Sequence, residues 1–225
     1  DIEHGEWIFN KNFKGCIRLS DFYKKANKND IYRATLPLLI SIENDAIKIL
    51  SNESSQIIKL LNTLKNELKN QSLNIKNCDQ KILDLIHYEI NDGVYRCGFA
   101  RNQLSYEKAN KSLFTALNWI ENKISKNKGN WICGENLTYA DIFLFPTLIR
   151  WELIYSILFK CTGKEISEFK KIIQWRSSFF RLSNVPKTCK EKEWVRDYYK
   201  ILFPLNPSQI QPILPSLEEI IGFES

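Results

Sequence analysis

Two short stretches near the start of the chain combine residue types that could together hold a small peptide. Leu36-Pro37 opens an apolar run, and a polar segment with Glu53 and Ser54 follows it. If the Leu36-Pro37 peptide bond is cis, the backbone N–H and C=O of Leu36 are available to pair with an extended peptide. At a helix N-terminus, Glu53 and Ser54 could then hold an α-ammonium group and an α-carboxylate, because free N–H groups favour the carboxylate and the Glu53 side chain attracts the ammonium.

A plainer interpretation of the same residues stays open. Pro37 is typical of the start of an edge strand, and Ser51 or Asn52 is typical of a helix N-cap. Taken alone, residues of these types serve structure more often than ligand binding.

The cysteines and histidines do not form a pattern typical of a metal site. Six cysteines occur at positions 16, 78, 97, 133, 161 and 189, without a Cys-x-x-Cys pair, and the two histidines are His4 and His87. This spacing fits neither a zinc site nor a small disulfide-linked scaffold. We therefore expect no metal, and the scattered thiols favour a reducing, intracellular compartment, either cytoplasmic or organellar.

Composition limits the classes of partner. The net charge is +6 and 44% of the residues are hydrophobic, which is typical of a globular protein. Because the lysines are spread along the whole chain, they predict a solvated surface rather than a nucleic-acid-binding face. The most apolar stretch, 142–159, contains Arg150 and Glu152 near its middle, so we expect a core helix and no membrane span.

The elements that must position these residues differ between the two parts of the chain. The first part, residues 1–75, is predicted to contain a helix over 19–26, a hairpin of 36–42 and 46–50, and a helix with apolar residues at helical spacing from Ile57 to Leu64. The polar stretch 65–77 marks the boundary.

The second part, residues 76–225, is predicted to be helical. The periodicity indicates helices over 79–90, 106–126, 138–159, 166–182 and 185–202, followed by an irregular, proline-rich tail. Thr138 and Asp141 have the spacing of a capping box at the start of the apolar helix, with Asp in place of Glu.

Two phrases of this helical part resemble a known family. Gly93-Val94-Tyr95-Arg96-Cys97-Gly98-Phe99-Ala100 and the run LTYADIFLFPTLIRWELIYSILFKC, from Leu137 to Cys161, are similar to the C-terminal helical domain of the glutathionyl-hydroquinone reductases, the Xi class of glutathione transferases. The resemblance implies an α/β thioredoxin-like N-terminal domain over 1–75, incomplete in this chain, and an all-α glutathione transferase C-terminal domain over 76–225. It also implies a homodimer formed through the helical domain.

The resemblance assigns roles to individual residues. Tyr95 matches a catalytic tyrosine of the family, and Tyr198 matches a second tyrosine that precedes an Asn-Pro, here Asn206-Pro207. Hydroxyl groups of this kind could hold the phenolic oxygens of a hydroquinone while charge develops on its ring. The implied glutathione-binding residues are Trp7, Leu36, Pro37, Glu53 and Ser54.

The implied activity is the reduction of glutathionyl-hydroquinones, with glutathione as co-substrate and an aromatic or quinone conjugate as substrate. In the family, a Cys-Pro phrase at a helix N-terminus supplies the nucleophile, because that position lowers the pKa of a thiol. No Cys-Pro occurs in this chain, and we expect the phrase on a segment before Asp1; Cys16 is a poor substitute. The alternative is a non-catalytic, glutathione transferase-like protein-interaction module that has lost the active-site cysteine.

Overall fold

The computed structural model describes residues 2–3, 6–26, 34–44, 46–67, 75–202 and 204–222. The chain divides into two units, residues 1–72 and residues 73–225. The first contains both of the small sheets, and the second is built from helices.

The first unit begins with a three-stranded antiparallel sheet that the sequence analysis missed. The strands are β1 (Ile2–Glu3), β2 (Glu6–Phe13) and β3 (Cys16–Arg18), in the order β1-β2-β3. Lys14 and Gly15 connect β2 to β3 with φ angles of 50° and 82°. Both are in the left-handed region that a two-residue hairpin turn requires, so the Lys14-Gly15 pair was the available signal. Helix α1 (Leu19–Ala26) follows, with the bounds predicted from the sequence.

The hairpin predicted from residues 36–42 and 46–50 is confirmed. Strands β4 (Leu39–Glu43) and β5 (Ala46–Ser51) are antiparallel, and helix α2 (Ser54–Glu67) follows them. The expected N-cap was wrong by one or two residues, because Ser51 still belongs to β5 and the helix begins after Glu53. The Ser51 side chain nevertheless accepts a hydrogen bond from the Glu53 N–H at 3.1 Å.

Helical structure in the second unit extends further than predicted at its start. Helix α3 (Gln80–Asp84), a π-helical segment (Leu85–Asn91) and helix α4 (Asp92–Gly98) follow one another without a break, where the sequence predicted a helix ending at residue 90. Helix α5 (Gln103–Ser125) begins after Asn102, whose side chain accepts a hydrogen bond from the Ser105 N–H at 2.9 Å. That cap moves the start of α5 three residues ahead of the prediction.

The single helix predicted over 138–159 is wrong. Helix α6 (Tyr139–Leu148) ends before Arg150, and a π-helical segment (Trp151–Tyr155) follows. Pro146 removes one backbone donor from the ladder, and the Arg176 guanidinium donates to the Leu148 carbonyl at 3.0 Å. A side chain that donates a hydrogen bond to a carbonyl of the last turn provides that carbonyl with a partner, and it interrupts the series of backbone hydrogen bonds along the helix.

The C-terminal third contains short helices with irregular connections. They are a 3₁₀ turn (Ile166–Glu168), α7 (Lys170–Phe180), α8 (Val185–Thr188), α9 (Glu191–Ile201) and α10 (Leu217–Ile221). The tail was predicted to be irregular, and this is wrong in part, because α10 lies within it. Arg176, 1% exposed, is paired with Glu152 at 2.7 Å and donates to the Ile220 carbonyl at 3.1 Å, so it holds α10 against the core.

Asp141 is the buried polar centre of the helical unit, and it confirms the predicted capping box. Its carboxylate accepts hydrogen bonds from the N–H and hydroxyl of Thr138, both at 2.8 Å, from the Ile132 N–H at 2.9 Å and from the Trp175 indole at 2.8 Å. Burial raises the pKa of this carboxyl, and the four hydrogen bonds oppose that rise. One side chain thus joins the loop after α5, the start of α6 and α7.

Within the described residues, no helix is both long enough and apolar enough to cross a lipid bilayer.

Candidate functional site

Three tyrosine hydroxyls meet in the helical unit. Tyr198, on α9, lies between the other two: its hydroxyl oxygen is 2.9 Å from that of Tyr95, on α4, and 3.1 Å from that of Tyr155, at the end of the second π-helical segment. Tyr155 is 2% exposed, whereas Tyr95 is 40% exposed. We call these three side chains the tyrosine cluster; it has a buried end at Tyr155 and a solvent-facing end at Tyr95.

Hydrogen bonds made by neighbouring residues position two members of the cluster, Tyr95 and Tyr198. One turn before Tyr95, the Asn91 amide donates to the Phe143 carbonyl at 2.9 Å and accepts from the Thr147 hydroxyl at 2.6 Å, which ties this helical run to α6. Beside Tyr198, the buried Tyr199 hydroxyl donates to the Leu153 carbonyl at 3.1 Å. Hydrogen bonds between residues 46 to 56 positions apart therefore hold α4 and α9 in place beside the cluster.

Phe159 forms the floor beneath the cluster. Its ring centroid lies 5.2 Å from that of Tyr95, 5.2 Å from that of Tyr155 and 6.1 Å from that of Tyr198, with the rings edge to face. Gly98 permits this position, because a Cβ at residue 98 would overlap the Phe159 ring. The cluster therefore depends on a residue without a side chain one turn after Tyr95.

Burial favours the neutral form of two members of the cluster, Tyr95 and Tyr155. It raises the pKa of Tyr155 and of Tyr95, and the hydrogen-bonded hydroxyl of Tyr198 raises both further. The Arg150 guanidinium opposes the rise in both, and it lies 4.6 Å from the ring centroid of Trp194. Neutral phenols donate hydrogen bonds, so the exposed Tyr95 hydroxyl can donate to an oxygen of a bound molecule.

A cavity of about 1070 Å³ opens beside Tyr95. Helix α4 and the first half of α5 line it, with Phe99 as a further aromatic wall. The charged side chains at this cavity have both signs: Glu89, Asp92, Arg96, Arg101 and Lys108. Its volume accommodates an aromatic molecule.

The residues predicted for glutathione lie in the first unit, and two of their segments are neighbours. The Leu36–Pro37 peptide bond is cis, as the sequence interpretation required, and Leu36 is 47% exposed. The Asn52 amide donates to the Thr35 hydroxyl at 3.2 Å, which places the turn at Pro37 beside the start of α2.

The other predicted glutathione residues can be placed only in part. Glu53 and Ser54 are exposed at the N-terminus of α2, where backbone N–H groups are unsatisfied by the helix itself. Trp7 belongs to β2, and its side chain lies outside the described residues.

Sequence reasoning identified two of the three hydroxyls of the cluster and missed the role of the third. Tyr155 and Phe159 are four positions apart, and their rings lie together. In the sequence they look like ordinary apolar residues of a core helix. The available signal was the tyrosine itself, since a buried phenol needs a hydrogen-bond partner.

Comparisons with known proteins agree with this architecture. Residues 103–176 match the family described as Glutathione S-transferase, C-terminal domain. The chain is 30% identical over 218 residues to the glutathionyl-hydroquinone reductase PcpF of Sphingobium chlorophenolicum, a match that covers 94% of this chain and 68% of that protein. It is 29% identical over 227 residues to the glutathionyl-hydroquinone reductase YqjG of Escherichia coli, covering 95% and 68%.

Solved structures give the same result. The glutathione-bound structure of YqjG from Escherichia coli K-12 superposes with a TM-score of 0.82 at 28% identity, over 94% of this chain and 72% of that one. Glutathione transferase Xi 1 from Trametes versicolor superposes with a TM-score of 0.78 at 29% identity, over 89% and 71%. The fold is that of a glutathione transferase, with a thioredoxin-like part and an all-helical part. Within that class, the chain belongs to the glutathionyl-hydroquinone reductase family, the Xi class.

Proposed function

We propose that this protein reduces glutathionyl-hydroquinones with glutathione as co-substrate. The observation that carries the proposal is the tyrosine cluster, in which the exposed Tyr95 hydroxyl is held by that of Tyr198 at 2.9 Å beside a cavity of about 1070 Å³. The names of its relatives PcpF and YqjG support the same activity.

The chemistry gives the cluster a defined task. A cysteine thiolate of the protein, which we assign to none of the six cysteines of this sequence, attacks the glutathione sulfur of the conjugate. A mixed disulfide between that cysteine and glutathione forms, and the bond between the glutathione sulfur and the aromatic carbon breaks. The electron pair stays on the ring, which takes up a proton and leaves as the hydroquinone. A second glutathione then attacks the mixed disulfide and releases glutathione disulfide. Because charge develops on the ring, hydrogen bonds from Tyr95 and Tyr198 to its phenolic oxygens would lower the barrier.

The proposed glutathione site comprises Trp7, Leu36, Pro37, Glu53 and Ser54. The backbone of Leu36, next to the cis bond, would pair with the peptide. The N-terminus of α2 would attract the γ-glutamyl carboxylate, and Glu53 would bind the ammonium group.

None of the six cysteines precedes a proline, so the residues assigned above bind and orient rather than attack. The second candidate is a non-catalytic module that uses this fold to bind protein partners. The two candidates differ in whether the protein binds and turns over a small conjugate.

The experiment is turnover of glutathionyl-menadiol by the intact protein with glutathione present, together with calorimetric binding of glutathione and of the conjugate. Release of menadiol and formation of glutathione disulfide in equal amounts would support the reductase. Binding of glutathione without turnover would support the glutathione site and argue against the proposed reaction. No binding and no turnover would reject both and favour the protein-interaction module.

A further inference from the structure

Two cysteines meet in the interior of the helical unit, close to the tyrosine cluster but outside the proposed reaction. The Cys161 sulfur lies 4.0 Å from the Val94 carbonyl oxygen, and Cys97 lies one turn further along the same helix, α4. The Cys161 sulfur also lies 3.9 Å from the Phe159 carbonyl oxygen. Cys97 and Cys161 are close enough for each thiol to shift the pKa of the other, and the two residues are 2% and 1% exposed. Cysteines 64 positions apart in the chain are thus held as a pair.

The backbone enforces this approach. Gly98, next to Cys97, leaves no space between itself and Phe159, two residues before Cys161. The segment 159–161 therefore lies directly against the end of α4. Because interiors are close-packed, this contact limits how far Cys97 and Cys161 can move relative to each other.

The two thiols differ in character. The neighbouring Cys161 thiol and the nearby charge of Arg96 lower the pKa of Cys97, against the opposing effect of burial. The neighbouring Cys97 thiol and burial raise the pKa of Cys161. Cys97 is accordingly the nucleophile of the pair, since the thiolate is the reactive form.

A second cavity gives access to the pair. Its volume is about 500 Å³, and Cys97 forms part of its wall together with Arg101, Tyr106 and Lys160. Among the described residues that line it there is no carboxylate, so the cavity favours anions such as the leaving hydroxide of a peroxide. Because Cys97 is only 2% exposed, its position in the cavity wall favours small oxidants over bulky reagents.

We propose that Cys97 and Cys161 form an oxidation site for hydrogen peroxide and close to a disulfide. The Cys97 thiolate attacks one peroxide oxygen, the O–O bond breaks, and hydroxide leaves, which gives a sulfenic acid on Cys97. The Cys161 sulfur then attacks the Cys97 sulfur, the S–O bond breaks, and water leaves with the Cys161 proton. In sum, two thiols and one peroxide give one disulfide and two waters.

A disulfide here would link α4, which carries Tyr95, to the segment that follows Tyr155. Both ends of the tyrosine cluster would then lie on covalently joined elements. The proposal is independent of the proposed function, because it requires neither glutathione nor a conjugate.

The chain contains a matched comparison pair. Cys78 and Cys133 also interact, but both are partly exposed, and burial together with Cys133 raises the pKa of Cys78 to about 11. A cysteine oxidised according to exposure would be one of the three partly exposed cysteines, Cys78, Cys133 or Cys189. A cysteine oxidised according to thiolate character is Cys97.

The experiment treats the full chain at neutral pH with one equivalent of hydrogen peroxide, stops samples over time, unfolds them and alkylates the remaining thiols before peptide mass mapping. We expect a Cys97–Cys161 cross-linked peptide that dithiothreitol reverses, formed about tenfold or more faster than any loss of the Cys78 thiol. Cys78→Ser should leave that rate unchanged. Cys161→Ala, checked for folding by circular dichroism, should accumulate a Cys97 sulfenic acid that dimedone traps when it is added as the samples are unfolded.

Mapping of the unmodified chain decides the matter even if a variant fails to fold. The proposal is overturned if Cys97 and Cys161 remain alkylatable while other thiols are oxidised. It is equally overturned if Cys97 oxidises without ever forming a disulfide to Cys161.

Discussion

The hydroxyl oxygens of Tyr95 and Tyr198 lie 2.9 Å apart although 103 positions separate the two residues in the chain. The contact exists because α4 and α9 are each held to a central element near their tyrosine, through Asn91 and through Tyr199. A hydroxyl that is already hydrogen-bonded loses little freedom when a substrate oxygen arrives, which is the condition for efficient electrostatic stabilisation.

Removing the Tyr95 hydroxyl should reduce the proposed activity more than stability. Tyr95→Phe keeps the ring against Phe159 but removes the donor, and we expect kcat for glutathionyl-menadiol to fall about 10²-fold. Tyr198→Phe should have a similar effect, and the double variant should lose less than the product, because the two residues share one hydrogen bond. Steady-state kinetics measure all three variants.

Tyr88→Phe is the matched control, because Tyr88 is 55% exposed and is not a member of the cluster. Its kcat should equal that of the unmodified protein. If Tyr95→Phe and Tyr88→Phe are equally active, the cluster has no part in the reaction.

Gly98→Ala should disturb both the fold and the cluster. The added methyl would overlap Phe159, which is fully buried, and overpacking of this kind costs about 1–3 kcal/mol. Urea unfolding followed by circular dichroism measures the loss. In Gly93→Ala, on the same helix, the new methyl meets the Leu113 side chain at 3.4 Å, an ordinary contact, so stability should stay the same or rise slightly. Equal effects of the two substitutions would contradict the proposed role of Gly98.

Asp141→Asn should destabilise the helical unit by about 2–3 kcal/mol, since four hydrogen bonds to a carboxylate become bonds to an amide, which accepts through one oxygen only. Tryptophan fluorescence during urea unfolding reports this change, because Trp175 donates to Asp141. Asp79→Asn is the control: Asp79 caps α3 at an exposed position, and Asn caps helices equally well. A loss below that of the control would show that Asp141 does not hold the unit together.

In the folded protein, the buried tyrosines should ionise at a higher pH than free tyrosine does. Burial raises the pKa of Tyr199 to about 12 and also raises those of Tyr95 and Tyr155 above the usual value. Since the folded state favours the protonated phenols, their contribution to stability is complete below about pH 10, where unfolded tyrosines begin to ionise, and is lost as pH rises further. Tyrosinate absorbance during an alkaline titration should therefore show these residues ionising only with unfolding. Full ionisation near pH 10 in a folded protein would contradict the burial of the cluster.

The sequence was most informative where the cause of a structure is local. The bounds of α1 and the hairpin of β4 and β5 follow from short apolar patterns, and the capping box at Asp141 follows from a four-residue spacing. Tyr95 and Tyr198 were selected because short phrases resemble those of a family, not because a local pattern predicts their contact.

The misses have distant causes. The helix predicted over 138–159 is interrupted with the help of Arg176, which lies 28 positions beyond the carbonyl it binds, and no local pattern contains that information. Tyr155 was overlooked for a related reason: its partner, Tyr198, is 43 positions away. The contact between Cys97 and Cys161 likewise depends on how α4 packs against Phe159, not on the spacing of cysteines.

The four hydrogen bonds to Asp141 come from Ile132, Thr138 and Trp175, and none of these residues belongs to the tyrosine cluster. The anchor of the fold and the binding surface thus depend on different side chains. Residues around the hydroxyls can be exchanged to alter the choice of ligand without removing a hydrogen bond to Asp141.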